Sequence, residues 1–398
     1  MGKLFVAATS LEKQSSEFPS AGGGNRALRV LQVTPLFYPY TGGIETHVFQ
    51  VSRRLVALGA DVTILTTDPT GSLPAEDQID GVPVHRVRSW PARRDYYFAP
   101  GLDRFIRGGT WDMVHVQSYH TLVPPLTMIS ALRSNLPYVL TFHGGGSSAW
   151  IRNKLRRWQR GLQRPLLARA RRLVALAEFE IEQYAAELRL SATRFVLIPN
   201  GADLPQAPVS PPGAPTGGPI IASVGRLERY KGHHRVIEAL PFVLAEQPNA
   251  RLWIAGKGPF EAELRRLAQQ YGVSEHVQIR AIPAEDRARM AQELSQAGLV
   301  VLLSDYETQP IAALEAAALG RSVLVADNSG MRELAQRGWA RSISLTSTPR
   351  QIADAILAQL NQPLTPRQVR LPSWDDCAAA LFDLYQAVVK DATHSRAG

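Results

Sequence analysis

Two Rossmann-like α/β domains, each a doubly wound parallel sheet, are the architecture this chain predicts, and three observations predict it. Short apolar runs of strand length alternate with stretches of helical spacing, as βαβ units require. The alternation stops at one Pro/Gly-rich segment, LPQAPVSPPGAPTGGP at residues 204–219, and then restarts. At 398 residues the chain is too long for one ordinary domain and suits two.

The first strand is expected in ALRVLQVTP (27–35), followed by the loop FYPYTGG. Ile44, Val48, Val51, Leu55 and Leu58 then recur at helical spacing, with Gly59 as the stop. DVTILTT (61–67) is the next strand, and WDMVHVQS (111–118), LPYVLTFH (136–143), RRLVALA (171–177) and TRFVLIPNG (193–201) continue the pattern. Beyond the proline-rich segment come PIIASVG (219–225), ARLWIAG (250–256), HVQIRAI (276–282), LVVLLS (299–304) and SVLVAD (322–327), with helices between. One of these helices, VIEALPFVLAEQ, is expected to have a boundary or kink at Pro241. The expected divisions are a disordered leader at 1–25, a first domain at 26–203, a linker at 204–218 and a second domain at 219–372. A crossover helix at 373–390 and a tail at 391–398 complete the chain. The leader is not read as a signal peptide, because its polar stretch LEKQSSEFPSAGGG offers no cleavage site.

The single cysteine, Cys377, excludes an internal disulfide and fits a reducing cytosol. No apolar run reaches the roughly 18 residues that a membrane helix needs. A net charge of +9 favours an anionic partner: a phosphorylated substrate, membrane headgroups or nucleic acid.

Two pairs of charged residues carry the chemistry. Arg226 and Lys231, in SVGRLERYKG, lie where an apolar strand gives way to a helix. Glu307 and Glu315, in SDYETQPIAALEAAALG, lie at a second such junction, with Pro310 at the first helical turn and Gly320 at its end. Open α/β sheets bind ligands at the carboxyl ends of their strands. Two cations suit a diphosphate, and two carboxylates suit sugar or ribose hydroxyls. Taken alone, each pair is ordinary surface charge. Asp305 is read as a loop cap and not as a metal ligand, since no third ligand accompanies it. The partial glycine fingerprint at Gly256 and Gly258 has Glu261 where a third glycine belongs, and it marks only a turn.

In order and spacing, these segments resemble the retaining glycosyltransferases of family 4. The matching stretches are PLFYPYTGGIETHV, LVALGADVTILTTD, DMVHVQS, VLTFHGG, IPNGAD, VGRLERYKG, IAGKGPFEAELRRLA, the acids Glu307 and Glu315, and LPSWDDCAAALFDLY. Together they span residues 28 to 389. The resemblance implies the GT-B fold, two Rossmann-like domains facing a cleft, with a C-terminal helix from Trp374 crossing back to the first domain. It also implies roles. Gly42 and Gly43 let backbone approach the donor diphosphate and acceptor. His143 faces the transferred sugar. Arg226 and Lys231 hold the diphosphate, Glu307 the sugar hydroxyls and Glu315 the ribose. Gln309, Pro310 and Ile311 line the donor, Ile282 lies near the base, and Asn200 with Asp203 is structural near the hinge. The donor is a UDP- or GDP-sugar, with no cofactor and no metal. The family often has Gly-Phe-Gly after this glutamate, where this chain has Thr308-Gln309-Pro310, so donor preference is expected to be set there. Those departures also leave open a non-catalytic GT-B subunit that scaffolds a partner enzyme.

Residues 151–172, IRNKLRRWQRGLQRPLLARARR, hold nine Lys or Arg and no acid. Trp and Leu interleave with the cations, as in a helix that lies on an anionic membrane. Arg152, Lys154, Arg156, Arg157, Trp158 and Arg160 are the expected membrane-facing set. They are expected to place the protein at the inner face of the cytoplasmic membrane, and the resemblance implies a lipid-linked or glycan acceptor. No reading motif for nucleic acid accompanies the charge.

Overall fold

A computed structural model describes residues 26–40, 42–91, 98–144, 150–202, 217–283, 286–366 and 369–397, with backbone alone for 150–158 and 395–397. The expected leader, and the expected linker up to residue 216, lie outside the described residues.

The first sheet and its helices comprise β1 (Arg29–Val33), α1 (Gly43–Ala57), β2 (Asp61–Asp68), β3 (Glu76–Ile79), β4 (Val82–Arg88), α2 (Gly101–Gly108), β5 (Met113–Gln117), α3 (Val123–Arg133), β6 (Tyr138–Thr141), α4 (Trp150–Leu167), β7 (Arg172–Ala175), α5 (Glu178–Leu188) and β8 (Phe195–Leu197). The strand order is β3-β4-β2-β1-β5-β6-β7-β8. The second comprises β9 (Ile220–Val224), α6 (His233–Glu246), β10 (Arg251–Ala255), α7 (Glu261–Gln270), β11 (Val277–Ile279), α8 (Arg287–Gln296), β12 (Leu299–Leu302), α9 (Ile311–Ala318), β13 (Ser322–Ala326), α10 (Ser329–Gln336), β14 (Arg341–Ile343) and α11 (Pro349–Asn361), in the order β11-β10-β9-β12-β13-β14. α12 (Trp374–Ala397) ends the chain.

Among the described residues, these strands pair in parallel except β3 with β4. Parallel strands are covered by helices on both faces, so their side chains are buried throughout, as in LVVL of β12 and SVLVA of β13. The exception is a hairpin whose turn residues, Asp80 and Gly81, both have positive φ (52° and 80°). An Asp-Gly pair suits this turn because its backbone twist matches that of the strands. That dipeptide was the available signal for a hairpin the apolar runs do not reveal.

α6 runs through Pro241 instead of breaking there. Val236, Ile237, Leu240 and Val243 are fully buried along its inner face, and that burial outweighs the lost hydrogen bond. α12 packs Trp374, Cys377, Leu381, Tyr385 and Val388 into the core on one face of the first sheet. The C-terminal helix therefore crosses back to the first domain, and it continues past residue 390 to Ala397. Gly201 permits this return. A Cβ there would lie 2.2 Å from the Trp374 backbone nitrogen, and Ala202 N donates to Pro372 O at 2.9 Å. Any side chain at 201 would lift α12 off its seat.

Candidate active site

In the second sheet β9 and β12 are neighbours, and connections leave them in opposite directions. This reversal of strand order opens a crevice at their carboxyl ends. The loop after β9 brings Lys231 into it, and the loop after β12 brings Glu307. The two meet at 2.6 Å, each with less than a fifth of its side chain exposed. Ser304 Oγ donates to the same carboxylate oxygen at 2.9 Å, and Ser329 Oγ accepts from Glu307 N at 3.0 Å. Arg226 stands at the mouth, 70% exposed, paired with Glu228 at 3.1 Å and donating to the Tyr230 hydroxyl at 2.8 Å. A partly buried cation beside a carboxylate, with a second, largely exposed cation at the mouth, can take up a diphosphate and a hydroxyl together.

Glu315 lies on α9, 3% exposed and ion-paired with Arg287 of α8. Burial raises its pKa, and the guanidinium partly opposes that. Pro310 precedes the first turn of α9 and Ile311 opens it. Ile282 packs into the second-domain core, so its side chain serves packing. Asp305 pairs with Arg235 at 2.8 Å instead of capping its own loop.

The first domain supplies the facing wall. Gly42 is the N-cap of α1 in an extended conformation, and the space where a Gly43 side chain would project is open. Glu45, one turn into α1, has its pKa raised by burial and feels the opposing charge of Arg226 from the other domain. His143 follows β6, 7% exposed, with Nε2 2.7 Å from Gln117 Oε1. Burial and three nearby imidazoles hold its pKa well below the usual histidine range, so the ring is neutral.

Two of the three residues that depart from the family pattern, Thr308 and Gln309, bond to the first domain. Gln309, expected to line the donor, accepts from Asn200 N at 2.8 Å and donates to Asn200 O at 3.0 Å. It thus pairs with first-domain backbone as a strand neighbour would. Thr308 Oγ1 lies 3.0 Å from Gly144 O and 3.2 Å from Glu180 Oε1, so its one proton is shared between two acceptors. Glu333 of α10 accepts from Phe179 N at 2.7 Å, capping an α5 N-terminus that has no cap of its own. The expected seat of donor preference is therefore a seam between domains.

Glu180 is central to that seam and was missed. It is fully buried, and burial pushes its pKa up to about 7, against hydrogen bonds from Leu176 N, Thr308 and Gly144 N, with Glu333 pushing the same way as burial. Its signal was periodicity, since Glu180, Tyr184 and Leu188 form the buried stripe of α5 at steps of four. The native state holds a proton here that an unfolded chain releases. The group's stabilisation is therefore complete below the ordinary value of 4.5 and is lost as pH rises through about 7. The expected outcome is that wild type loses up to about 3 kcal/mol relative to Glu180→Gln between pH 5 and pH 8. Thermal melts of both proteins across that range test it, and parallel curves would refute it.

The expected membrane-facing residues divide. Side chains of Arg152, Lys154, Arg156, Arg157 and Trp158 lie outside the described residues. Arg160 does not face outward. It is 6% exposed, ion-paired with Glu187, and donates to the Tyr119 hydroxyl at 2.6 Å. The register of α4 places it on one buried stripe with Gln163 and Leu167, while Leu162 is 68% exposed. Among the described residues no helix is long and apolar enough to cross a membrane.

Comparison with known proteins agrees with this geometry. Residues 41–206 match the family model for glycosyltransferase family 4, and residues 209–371 match that for glycosyl transferases group 1. The chain is 30% identical over 309 residues to a GDP-mannose:cellobiosyl-diphosphopolyprenol alpha-mannosyltransferase of Xanthomonas oryzae pv. oryzae (strain PXO99A), covering 75% of this chain and 79% of the relative. It is 27% identical over 399 residues to a glycogen synthase of Mycobacterium tuberculosis, covering 90% and 95%. In three dimensions it matches sucrose-phosphate synthase from Thermosynechococcus elongatus with a TM-score of 0.71, at 20% identity and over 92% of this chain and all of the other. An Anabaena protein in complex with UDP matches with a TM-score of 0.66, at 16% identity and over 93% and 100%. With both halves matched and both sheets arranged about one cleft, this chain belongs to the family 4 glycosyltransferases of the GT-B fold.

Proposed function

We propose that this protein transfers a sugar from a nucleotide diphosphate donor to an acceptor hydroxyl, with retention of anomeric configuration and without an essential metal or cofactor. The observation that carries the reading is the Lys231–Glu307 pair at the strand-order reversal, 2.6 Å apart, with Thr308 of the same loop bonded to the first domain. On donor binding the ammonium turns from the carboxylate to the diphosphate, and Arg226 joins it from the mouth. The leaving charge is then stabilised where it develops. Glu307, released from Lys231, accepts sugar hydroxyls, and Glu315 serves the ribose. The departing phosphate takes the acceptor's proton, and the acceptor attacks on the face it vacates. The seam through Thr308, Gln309 and Glu333 holds the domains together around the sugar and keeps water out.

The donor class is a GDP- or UDP-sugar and the acceptor a lipid-linked or glycan hydroxyl. The name of the Xanthomonas relative, with GDP-mannose and a polyprenol-linked saccharide, supports that choice. The basic α4 supports docking on the inner face of an anionic membrane, with exposed Leu162 as one contact. Co-sedimentation with anionic vesicles at low salt tests the docking, and no binding would end it.

Titration calorimetry with UDP and GDP, followed by a donor-hydrolysis screen in EDTA, tests the main reading. Binding of one nucleoside diphosphate and hydrolysis of its sugar conjugate are expected. A scaffolding subunit is the second reading, favoured by the commitment of the Thr308 and Gln309 side chains to the first domain. Failure to bind either nucleotide would favour it. Product NMR then reports the anomeric configuration.

A further inference from the structure

A chain of buried hydrogen bonds leads from the crossover helix to His143. The Tyr385 hydroxyl on α12 lies 2.5 Å from His115 Nδ1 and accepts from Gln32 Nε2 at 3.0 Å. Gln32 Oε1 accepts from Gln117 Nε2 at 2.8 Å, and Gln117 Oε1 lies 2.7 Å from His143 Nε2. His115 Nε2 lies 2.7 Å from Thr141 Oγ1, and its Nδ1 is 3.3 Å from Gln117 Nε2. Gln32, His115, Gln117, Thr141 and Tyr385 are all fully buried.

The orientation of the Gln117 amide fixes the direction in which this chain runs. Gln117 Oε1 has no proton to give, so its 2.7 Å contact requires the proton on His143 Nε2. Gln117 Nε2 donates to Gln32 Oε1, and Gln32 Nε2 to the Tyr385 hydroxyl. Tyr385 then donates to His115 Nδ1, and His115 Nε2–H to Thr141 Oγ1. The ring of His143 is neutral, as its depressed pKa also requires, and it carries a single proton.

We infer that Gln117 is a positioning residue that holds His143 in its Nε2–H tautomer, leaving Nδ1 as the ring's acceptor, and that Gln32 and Tyr385 brace it from α12. The helix returning from the second domain thereby sets the hydrogen-bonding character of a ring beside the cleft. The consequence for catalysis rests on the reading that His143 faces the transferred sugar.

The test uses full-length protein labelled with 15N only at histidine. Long-range 1H–15N spectra report which ring nitrogen carries the proton, and the signals lost in His143→Asn identify the residue. Wild type is expected to be protonated at Nε2. Gln117→Met, which keeps the side chain's length and removes its amide, is expected to give a mixed or reversed tautomer. Its kcat should fall about ten- to a hundredfold while donor KM changes little. Tyr385→Phe should shift the tautomer in the same sense by a smaller amount. Protonation at Nδ1 in wild type, or a tautomer indifferent to Gln117→Met, would overturn the inference. A changed tautomer with unchanged kcat would uphold Gln117's role and refute that of His143 in transfer. If Gln117→Met does not fold, the wild-type and Tyr385→Phe spectra decide.

Discussion

Replacing Lys231 with alanine is expected to lower kcat/KM by about 10²- to 10³-fold, the cost of losing one charged donor aimed at developing negative charge. Lys231 is the cation held inside the crevice, whereas Arg226 is largely in solvent. The variant also leaves the Glu307 carboxylate with the Ser304 hydroxyl but no cation. An unpaired, partly buried charge costs about 1–3 kcal/mol of stability, less than a fully buried one because some solvent reaches it. Steady-state kinetics with the donor found by screening, together with a thermal melt, separate the two effects. A variant within tenfold of wild type would remove Lys231 from the chemistry. The double variant Lys231→Ala/Glu307→Ala should recover stability without recovering turnover, because it removes the stranded charge and not the cause of slow transfer.

Gly330→Ala is expected to cost about a hundredfold in kcat/KM and about 1–3 kcal/mol of stability. Gly330 lies in the first turn of α10, under the loop that carries Glu307. Its N–H donates to Glu307 O at 2.9 Å. A Cβ there would sit 2.0 Å from Thr308 O and 3.0 Å from Glu307 O. Both atoms are backbone, so the loop itself must move. Glu307 then loses its register with Lys231, and Thr308 loses its contact with Gly144 across the seam. Kinetics and melting temperature check this, and near-wild-type values for both would show that the loop yields without consequence.

The parts of the site that were legible in the sequence share one property: they follow from local chain position. Arg226 and Lys231 lie in the loop that follows the apolar run of β9, and Glu307 in the loop after β12 with Glu315 on the helix beyond it, and a strand's carboxyl end is recognisable from such a run alone. Gly42 and Gly43 are legible for the same reason. The residues that escaped notice act at a distance. Arg287 reaches Glu315 from another helix, Gln117 and Gln32 reach His143 through the first-domain core, and Glu333 caps a helix of the other domain. Nothing in the local sequence of a glutamine or a glutamate marks which distant backbone it will meet. Arg160 shows the converse. Its neighbours announce a basic surface helix, yet helical register turns Arg160 inward onto Tyr119 and Tyr184.

Sequence by itself determined the two α/β halves and which strand ends carry charge. Strand-length apolar runs and turn chemistry are local physical signals, sufficient to set a parallel sheet and its open edge. Only the tertiary structure decided how those charges are paired: Lys231 with Glu307, and Glu315 with Arg287. It also committed Thr308 and Gln309, where donor preference was expected to be set, to a seam between domains. Pairing and burial are properties of three-dimensional neighbours, brought together by strand order and by the return of α12, and a one-dimensional pattern does not record them.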